Sequence, residues 1–329
     1  MTISVCIAWT APFDLAGGDL VTQGSPAAAA LSRTLQSLRA GNRPPREVIV
    51  AVPCDARLRL PQASFPIRKL RMPDDTSPTA IRNALAQEAQ GDVLVFLDPQ
   101  CMVTPTTLDD YATAFARGLR GIVAGELGFL PPDADGAAVD GMQQHPDRPA
   151  VPMGPIDLSG EAAGVWGMNW AVKEAELASL GGFDEGYATL SVGEADLARR
   201  AAERGMGPRW IAGAGALHQY RSRAVPPLAQ IDALLADAAQ FHARWGEPAP
   251  ERWLRAFALM GLIAPAKPGE QQPGQWRKLR EPSDADEAMI NPPDGQWWPG
   301  SAQLVQWLED RAVVRLDTRG NRPGSGTAA

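Results

Sequence analysis

Three short runs, Ile3 to Trp9, Glu47 to Val52 and Val93 to Leu97, are nearly continuous in apolar and β-branched residues instead of alternating. A strand with one solvated face alternates, whereas a continuous run of this length, bounded by turn residues, suits a strand buried on both faces of a parallel sheet. Between the first two runs, Ala27 to Leu38 places Leu31, Leu35 and Leu38 at helical spacing. Before the third, Thr79 to Gln90 does the same with Ile81, Leu85 and Ala89. Strand, helix, strand, helix, strand predicts a doubly wound α/β unit with right-handed crossovers, whose ligands bind at the carboxyl ends of strands.

A chain of 329 residues has room for one large α/β domain and a smaller appendage, so disulfide staples are not needed. Lys and Arg total 31 against 38 Asp and Glu, a balance that offers no general attraction to nucleic acid or an anionic bilayer. No nucleic-acid partner is expected, and a polyanionic ligand must be caught by a local site. Cys6, Cys54 and Cys101 stand far apart with no zinc-ligand spacing, which predicts reduced thiols. Met1 to Ile7 has no basic segment followed by a long apolar run, and reads as a first strand instead of a signal peptide. The most apolar later stretch, Leu254 to Pro265, contains Arg255 and is too short for a span of about 20 residues, so no transmembrane segment is expected. The expected location is cytoplasmic, with peripheral attachment to the inner face of a membrane as an alternative.

From Pro131 to Pro155 the composition turns to Pro, Gly, Asp and Gln, marking a surface loop or lid. Glu174 to Leu180 predicts a short helix stopped by Gly181-Gly182, and Glu194 to Arg204 a second stopped by Gly205. After Pro226-Pro227, Leu228 to Trp245 carries Ile231, Leu234, Leu235, Ala238, Phe241 and Trp245 on one stripe, and Trp253 to Ile263 predicts another helix. The tail from Ala266 is rich in Pro, Gly and Trp, with one further helix expected at Ala302 to Asp310. The expected organisation is a catalytic domain over 1–225, a helical extension packed on it over 226–318, and a disordered end over 319–329.

Gly91 to Gln100 is an apolar strand that delivers Asp98 to a turn at its carboxyl end, where a bound diphosphate would need a cation. An Asp-Pro turn that merely ends a strand would read the same. Glu194 opens the helix after Gly193, where a helix N-terminus favours an ionised carboxylate able to take a proton from a hydroxyl. It could equally be a first-turn residue stabilising the macrodipole. Of the three histidines, His145 falls in the loop and His242 within an amphipathic helix, where a structural histidine is the ordinary reading.

The stretch from Ile81-Arg82-Asn83 to Asp98-Pro99-Gln100-Cys101, followed by Thr104-Pro105, resembles family 2 glycosyltransferases, in which an Arg-Asn helix precedes a strand ending in Asp-x-Asp. It is still more similar to the polypeptide N-acetylgalactosaminyltransferases, where the motif is Asp-x-His. Trp166-Gly167-Met168-Asn169-Trp170, then Leu180-Gly181-Gly182-Phe183-Asp184-Glu185, then Gly193-Glu194-Ala195-Asp196-Leu197 look like the galactosyltransferase-type C-terminal region of those families. Leu217-His218-Gln219-Tyr220-Arg221 resembles its His-x-aromatic-Arg end.

The resemblance covers about residues 1–225 and implies a GT-A fold, a Rossmann-like, mostly parallel central sheet with flanking helices, here followed by the helical extension. It implies a hexosyltransferase-type enzyme that moves a sugar from a nucleotide-diphosphate donor, UDP favoured, to a hydroxyl on a glycan, lipid-linked or protein acceptor. Inversion carries over from family 2, although the N-acetylgalactosaminyltransferases retain configuration. Arg82, Asn83, Asp98, Trp166 and Asn169 would bind the donor. Asp98 and His218 would hold a divalent cation, Mn2+ or Mg2+, and Glu194 would be the base, with Asp196 as the other candidate acid.

Three departures qualify this. Val52-Pro53 stands where an acidic pair usually holds the nucleoside, with Asp55 two positions late; Gln100 replaces a second ligand; and Gly193 replaces one acid of the Glu-Asp-x-Asp-Leu pattern. Fewer carboxylates predict a cation held weakly without nucleotide. They also leave open a degenerate, non-catalytic binding protein, for which the Trp297-Trp298 tail is a candidate contact surface. A dinucleotide oxidoreductase is set aside because Trp9-Thr10-Ala11-Pro12 follows the first strand in place of a Gly-rich turn. Homodimerisation is left open.

Overall fold

The computed structural model describes residues 1–9, 25–131, 143–144, 156–157, 167–220, 226–250, 252–266, 276–290 and 303–311. Its first half alternates β1 (Ile3–Ala8), α1 (Pro26–Ala40), β2 (Glu47–Pro53), β3 (Ile67–Met72), α2 (Pro78–Glu88) and β4 (Val93–Leu97). The three continuous runs are strands, and every residue of β2 and β4 is buried. β3 was not expected. Its Ile-Arg-Lys-Leu-Arg-Met sequence carries no apolar run, and it sits at the sheet edge with most residues half-buried, a place where charged side chains guard an open ladder. Both helices start on a serine cap followed by proline: Ser25 accepts from the Ala28 amide at 3.2 Å and Ser77 from the Ala80 amide at 3.2 Å.

β3, β2, β1 and β4 pair in parallel in that order, and the chain then adds an antiparallel strand, β10 (Asn169–Lys173), beside β4. Beyond it lie β6 (Val123–Ala124), β11 (Arg209–Trp210) and β9 (Ile156–Asp157). A second sheet has the order β5 (Cys101–Val103), β12 (Ala216–His218), β7 (Leu127–Phe129) and β8 (Gln143–Gln144). Strand order reverses between β1 and β4, so the loops after those two strands border the crevice where ligands bind in open α/β sheets.

Alternate residues of each strand feed two apolar layers. Val5, Val50 and Val95 pack with Leu31, Leu35 and Leu38 of α1, and with Leu108, Tyr111 and Phe115 of α3 (Thr107–Ala116). Cys6, Ile49, Leu94 and Phe96 face Ile81 and Leu85 of α2 on the other side, together with Trp170, Phe183 and Leu197. Phe96, Trp170 and Phe183 meet with centroids 4.5, 5.8 and 6.1 Å apart, aromatic contacts worth about 0.5–1.5 kcal/mol each beyond their burial.

α4 (Glu174–Ser179) ends at Gly181 and Gly182, which adopt φ of 81° and 69°. Gly182 has no alternative, because a Cβ there would lie 2.6 Å from Asn83 Oδ1. The following helix, α5 (Leu190–Glu203), begins four residues before Glu194 and not at it. The apolar side chains of Leu190 and Val192 pack inside and extend the helix, whereas Gly205 marks the end as expected, with φ of 66°. Glu194 therefore lies in the second turn, where the helix dipole has faded, and neither an end-of-helix charge nor a first-turn role applies to it.

A third apolar cluster joins Tyr187, Val192 and Ala195 to Ile231, Leu234, Ala238 and Phe241 of α6 (Ile231–Trp245), and to α7 (Arg252–Leu259) and α8 (Asp284–Ile290). The helix expected over Trp253 to Ile263 stops at Leu259: Gly261 turns the chain with φ of 72°, and Ile263 opens β13 (Ile263–Pro265), paired with β14 (Trp276–Lys278). The tail helix α9 spans 303–311, with Leu304 and Leu308 in the same cluster. Residues 319–329, and all but two short strands of the loop from Pro131 to Pro155 and its continuation to Trp166, lie outside the described residues. Among the described residues no helix is long and apolar enough to cross a membrane.

Candidate active site

Asp98 leaves the end of β4 and is fixed by its backbone before its side chain is considered. Its amide donates to the Met168 carbonyl at 2.9 Å, and its carbonyl accepts from the Cys101 amide at 2.9 Å. Oδ1 accepts from the Gln100 amide at 2.8 Å, closing an Asx turn that Pro99 favours. The turn leads into β5, whose antiparallel pairing with β12 sets His218 opposite Cys101. His218 Nε2 consequently lies 3.8 Å from Asp98 Oδ1, with the carboxylate 29% and the imidazole 9% exposed. Phe129 backs the imidazole with ring centroids 5.2 Å apart.

A single divalent ion fits between these two groups, since donor distances of about 2.1 Å to each span a separation of up to roughly 4 Å. Two protein ligands are few. No group of three metal-binding acids, histidines or cysteines occurs among the described residues, so the remaining ligands would come from diphosphate oxygens and water. Gln100 is buried, and its Oε1 has no hydrogen-bond partner.

Behind this pair lies a second charged group. Arg82, on the inner face of α2, is 3% exposed and stacks over Phe96 at 5.1 Å. Its Nη2 donates to the Gly167 carbonyl at 2.7 Å, while Nε and Nη1 make no hydrogen bond among the described residues. Burial pulls the Arg82 guanidinium below its usual value, and the charges of Glu194 and Asp98 oppose that pull. Glu194 is 1% exposed and accepts from Trp170 Nε1 at 3.3 Å. The segment Gly167 to Trp170 therefore bridges both halves of the site: Met168 holds Asp98, Gly167 holds Arg82 and Trp170 holds Glu194. A Cβ on Gly167 would come within 2.8 Å of Glu194 Oε1 and 3.1 Å of Arg82 Nη2, so only glycine leaves these two groups their places.

The other candidates are placed differently. Asp196, two residues from Glu194, points about 200° round the helix. Its carboxylate is fully buried among Arg200 Nε at 2.8 Å, Trp245 Nε1 at 3.0 Å, Arg244 Nη1 at 3.3 Å and the Tyr187 hydroxyl at 3.4 Å. Asn83 donates to Glu185 Oε1 and the Phe183 carbonyl and accepts from the Phe183 amide, tying α2 to the Gly181-Gly182 turn. Asn169 is also fully buried, accepting from Tyr111 and donating to the carbonyls of Glu126 and Ala214. Both asparagines spend their polar groups on the scaffold. Trp166 lies outside the described residues, and Asp55 is exposed in the loop after β2.

Two contributors were not singled out from sequence. Gln219 follows His218 and donates to the Ala30 and Gln100 carbonyls at 3.0 and 3.1 Å while accepting from Arg33, locking the Asp98 turn to α1. Gly193, which replaces an expected acid, sits where α5 crosses α2: a Cβ there would lie 2.5 Å from Thr79 Cγ2, and a carboxylate cannot fit. Only the position of Gln219 beside the His218 motif, and the departure at Gly193 itself, mark these residues in the sequence.

No protein-family model and no curated protein matches the sequence. Solved structures do. The mannosyltransferase PcManGT from Pyrobaculum calidifontis, in complex with GDP-Man and Mn2+, matches with a TM-score of 0.51 at 14% identity over 95% of this chain and 80% of that one. GalNAc-T7 with UDP, GalNAc and Mn2+ matches at 0.49 and 14% identity over 76% of this chain and 52% of that one. S. aureus TarS 1-349 in complex with UDP-GlcNAc matches at 0.48 and 13% identity over 78% and 72%. The chain thus spans about half the length of the GalNAc-T7 chain. With its strand order and the Asp98 turn at the switch point, this chain has the GT-A fold: a mostly parallel central sheet with flanking helices.

Proposed function

We propose that the protein is a glycosyltransferase that moves a hexosyl-type sugar from a nucleotide-diphosphate donor to a hydroxyl group. The observation that carries this reading is the Gly167 to Trp170 bridge, which connects Asp98 and His218 at the edge of the parallel sheet to Arg82 and Glu194 beneath it. A hydroxyl nucleophile needs a base, and the departing diphosphate needs charge stabilisation; Glu194 is proposed for the first role and Asp98, His218 and Arg82 for the second.

Glu194 is the base. Its Oε1 accepts from Trp170 Nε1, and Arg82 stands beside it across Gly167. Arg82 would meet the negative charge of the diphosphate, and Asp98 with a neutral His218 would hold Mn2+ or Mg2+, which would supply counter-charge to the diphosphate when bound. With two protein ligands the cation is held weakly until nucleotide arrives. Asp196, Asn83 and Asn169 act as positioning residues. A UDP-sugar is the favoured donor on the strength of the sequence resemblance, and the acceptor is a glycan, a lipid-linked sugar or a protein. Inversion is carried over from the resemblance to family 2. A cytoplasmic location, with contact at the inner membrane face, and homodimerisation belong to the same proposal.

A second reading, a degenerate protein that binds without turnover, is favoured by Gln100 and Gly193 in place of acids. Both readings are tested by incubating the protein with UDP-, GDP- and dTDP-sugars and Mn2+. Release of the nucleoside diphosphate that disappears in Glu194→Gln supports the enzyme; nucleotide binding with no release from any donor supports the second reading.

A further inference from the structure

The N-terminus of α5 is incomplete on its own. Thr189 occupies the cap position but makes no capping bond with its side chain, and the first turn contains no acidic residue. The leading amides of a helix nevertheless need acceptors. The cap residue finds one in the C-terminal extension: Asp237 of α6, 2% exposed, accepts from the amide of Thr189 at 2.7 Å and from its hydroxyl, and also from the amide of Ala188 just before the cap at 2.9 Å. All three partners are donors, which is the pattern an ionised carboxylate satisfies.

The same helix grips the segment again. Trp245 and Arg244 both donate to Asp196, Arg244 also pairs with Asp184 at 2.9 Å, and Gln240 lies so close to Gly186 that a Cβ there would meet Nε2 at 2.9 Å. Contacts from α6 therefore bracket Glu194, at Asp184 to Thr189 before it and at Asp196 after it. A buried carboxylate such as Asp237 is unfavourable unless hydrogen-bonded, and these three bonds tie it to the start of α5.

We propose that α6 is part of the working site, with Asp237 as the positioning residue that caps α5 from outside and sets Glu194 against the reacting hydroxyl. This rests on Glu194 being the base. A displacement of about 1 Å at such a group can lower turnover by roughly 100-fold.

The test compares Asp237→Ala with Asp286→Ala in the full chain. Asp286 holds Arg280 and Ser283 within the extension, away from α5, so its loss weakens the extension without touching the cap. Asp237→Ala should lower kcat by about 10- to 100-fold with donor KM within a few fold, and should speed amide hydrogen exchange in residues 188–198 while leaving 93–103 unchanged. Asp237→Asn, which keeps an acceptor oxygen, should recover part of kcat. Asp286→Ala should reduce thermal stability and leave kcat within twofold. Equal kcat for Asp237→Ala and wild type below their melting temperatures, or unchanged exchange over 188–198, overturns the proposal. Absence of turnover in the wild type would instead sink the transferase reading, and exchange would still decide whether Asp237 holds α5.

Discussion

His218 Nε2 sits 3.8 Å from Asp98 Oδ1, held there by the register of β12 on β5. This separation decides how a cation can bind. Two protein groups cannot complete the coordination of Mn2+ or Mg2+, so the ion should bind mainly as a complex with nucleotide. Calorimetry is expected to show weak metal binding to the free protein, clear binding with nucleoside diphosphate present, and loss of that coupling in Asp98→Asn and His218→Ala. Identical nucleotide affinity in Mn2+ and in excess chelator would remove both residues from a metal role.

Glu194→Gln keeps the shape of the buried side chain and its contact with Trp170 while removing the carboxylate proposed as the base. Transfer should fall by about 100- to 10,000-fold with donor affinity kept within a few fold, because the base acts on the acceptor and not on the bound nucleotide. Steady-state rates set beside calorimetric donor affinity would check this, and a normal rate would return Glu194 to a structural role.

Gly167→Ala places a methyl group 2.8 Å from Glu194 Oε1 and Leu190 Cδ2. Something must shift, at a typical overpacking penalty of about 1–3 kcal/mol. Transfer should drop more than the melting temperature suggests, because the groups displaced are Glu194 and Arg82. A variant with wild-type kcat would show that the position tolerates a side chain.

The cysteines offer a check on the packing of the sheet. Cys54 is exposed, whereas Cys6 and Cys101 are buried, and burial pushes the Cys6 thiol up to about 12. A thiol reagent at neutral pH should label Cys54 quickly and the other two only on unfolding. Fast labelling of Cys6 in native protein would contradict the burial of β1.

Acid should loosen the extension through Asp286. The two bonds from Arg280, with the Ser283 hydroxyl and amide, hold its carboxyl below the usual carboxylate range. A depressed folded value means that the stabilisation is fully present above the unfolded value of about 3.9 and is lost as pH falls through the folded one. Urea melts should therefore show Asp286→Asn less stable than wild type at neutral pH, with the gap closing below about pH 4. A gap that stays constant over that range would assign the stabilisation to packing.

Local sequence was enough for the buried strands of the parallel sheet. The continuous runs at β1, β2 and β4 could be read because burial on both faces leaves no alternation, and Gly181-Gly182 and Gly205 could be read because few residues take positive φ. Asp98 was legible at the end of an apolar strand and His218 through a motif resemblance, but their approach to 3.8 Å was not. Local pattern misplaced the start of α5, whose early residues are held by partners elsewhere in the chain, and missed β13, which needs β14 to form a ladder. Nor could it separate Glu194 from Asp196 or Arg82 from Asn83. Each pair is close in sequence, but a helix turns about 100° per residue, so the two members face different neighbours. Only the tertiary structure decides which, because that depends on what each face packs against: Gly167 and Trp170 for Glu194, and Arg200, Tyr187 and α6 for Asp196.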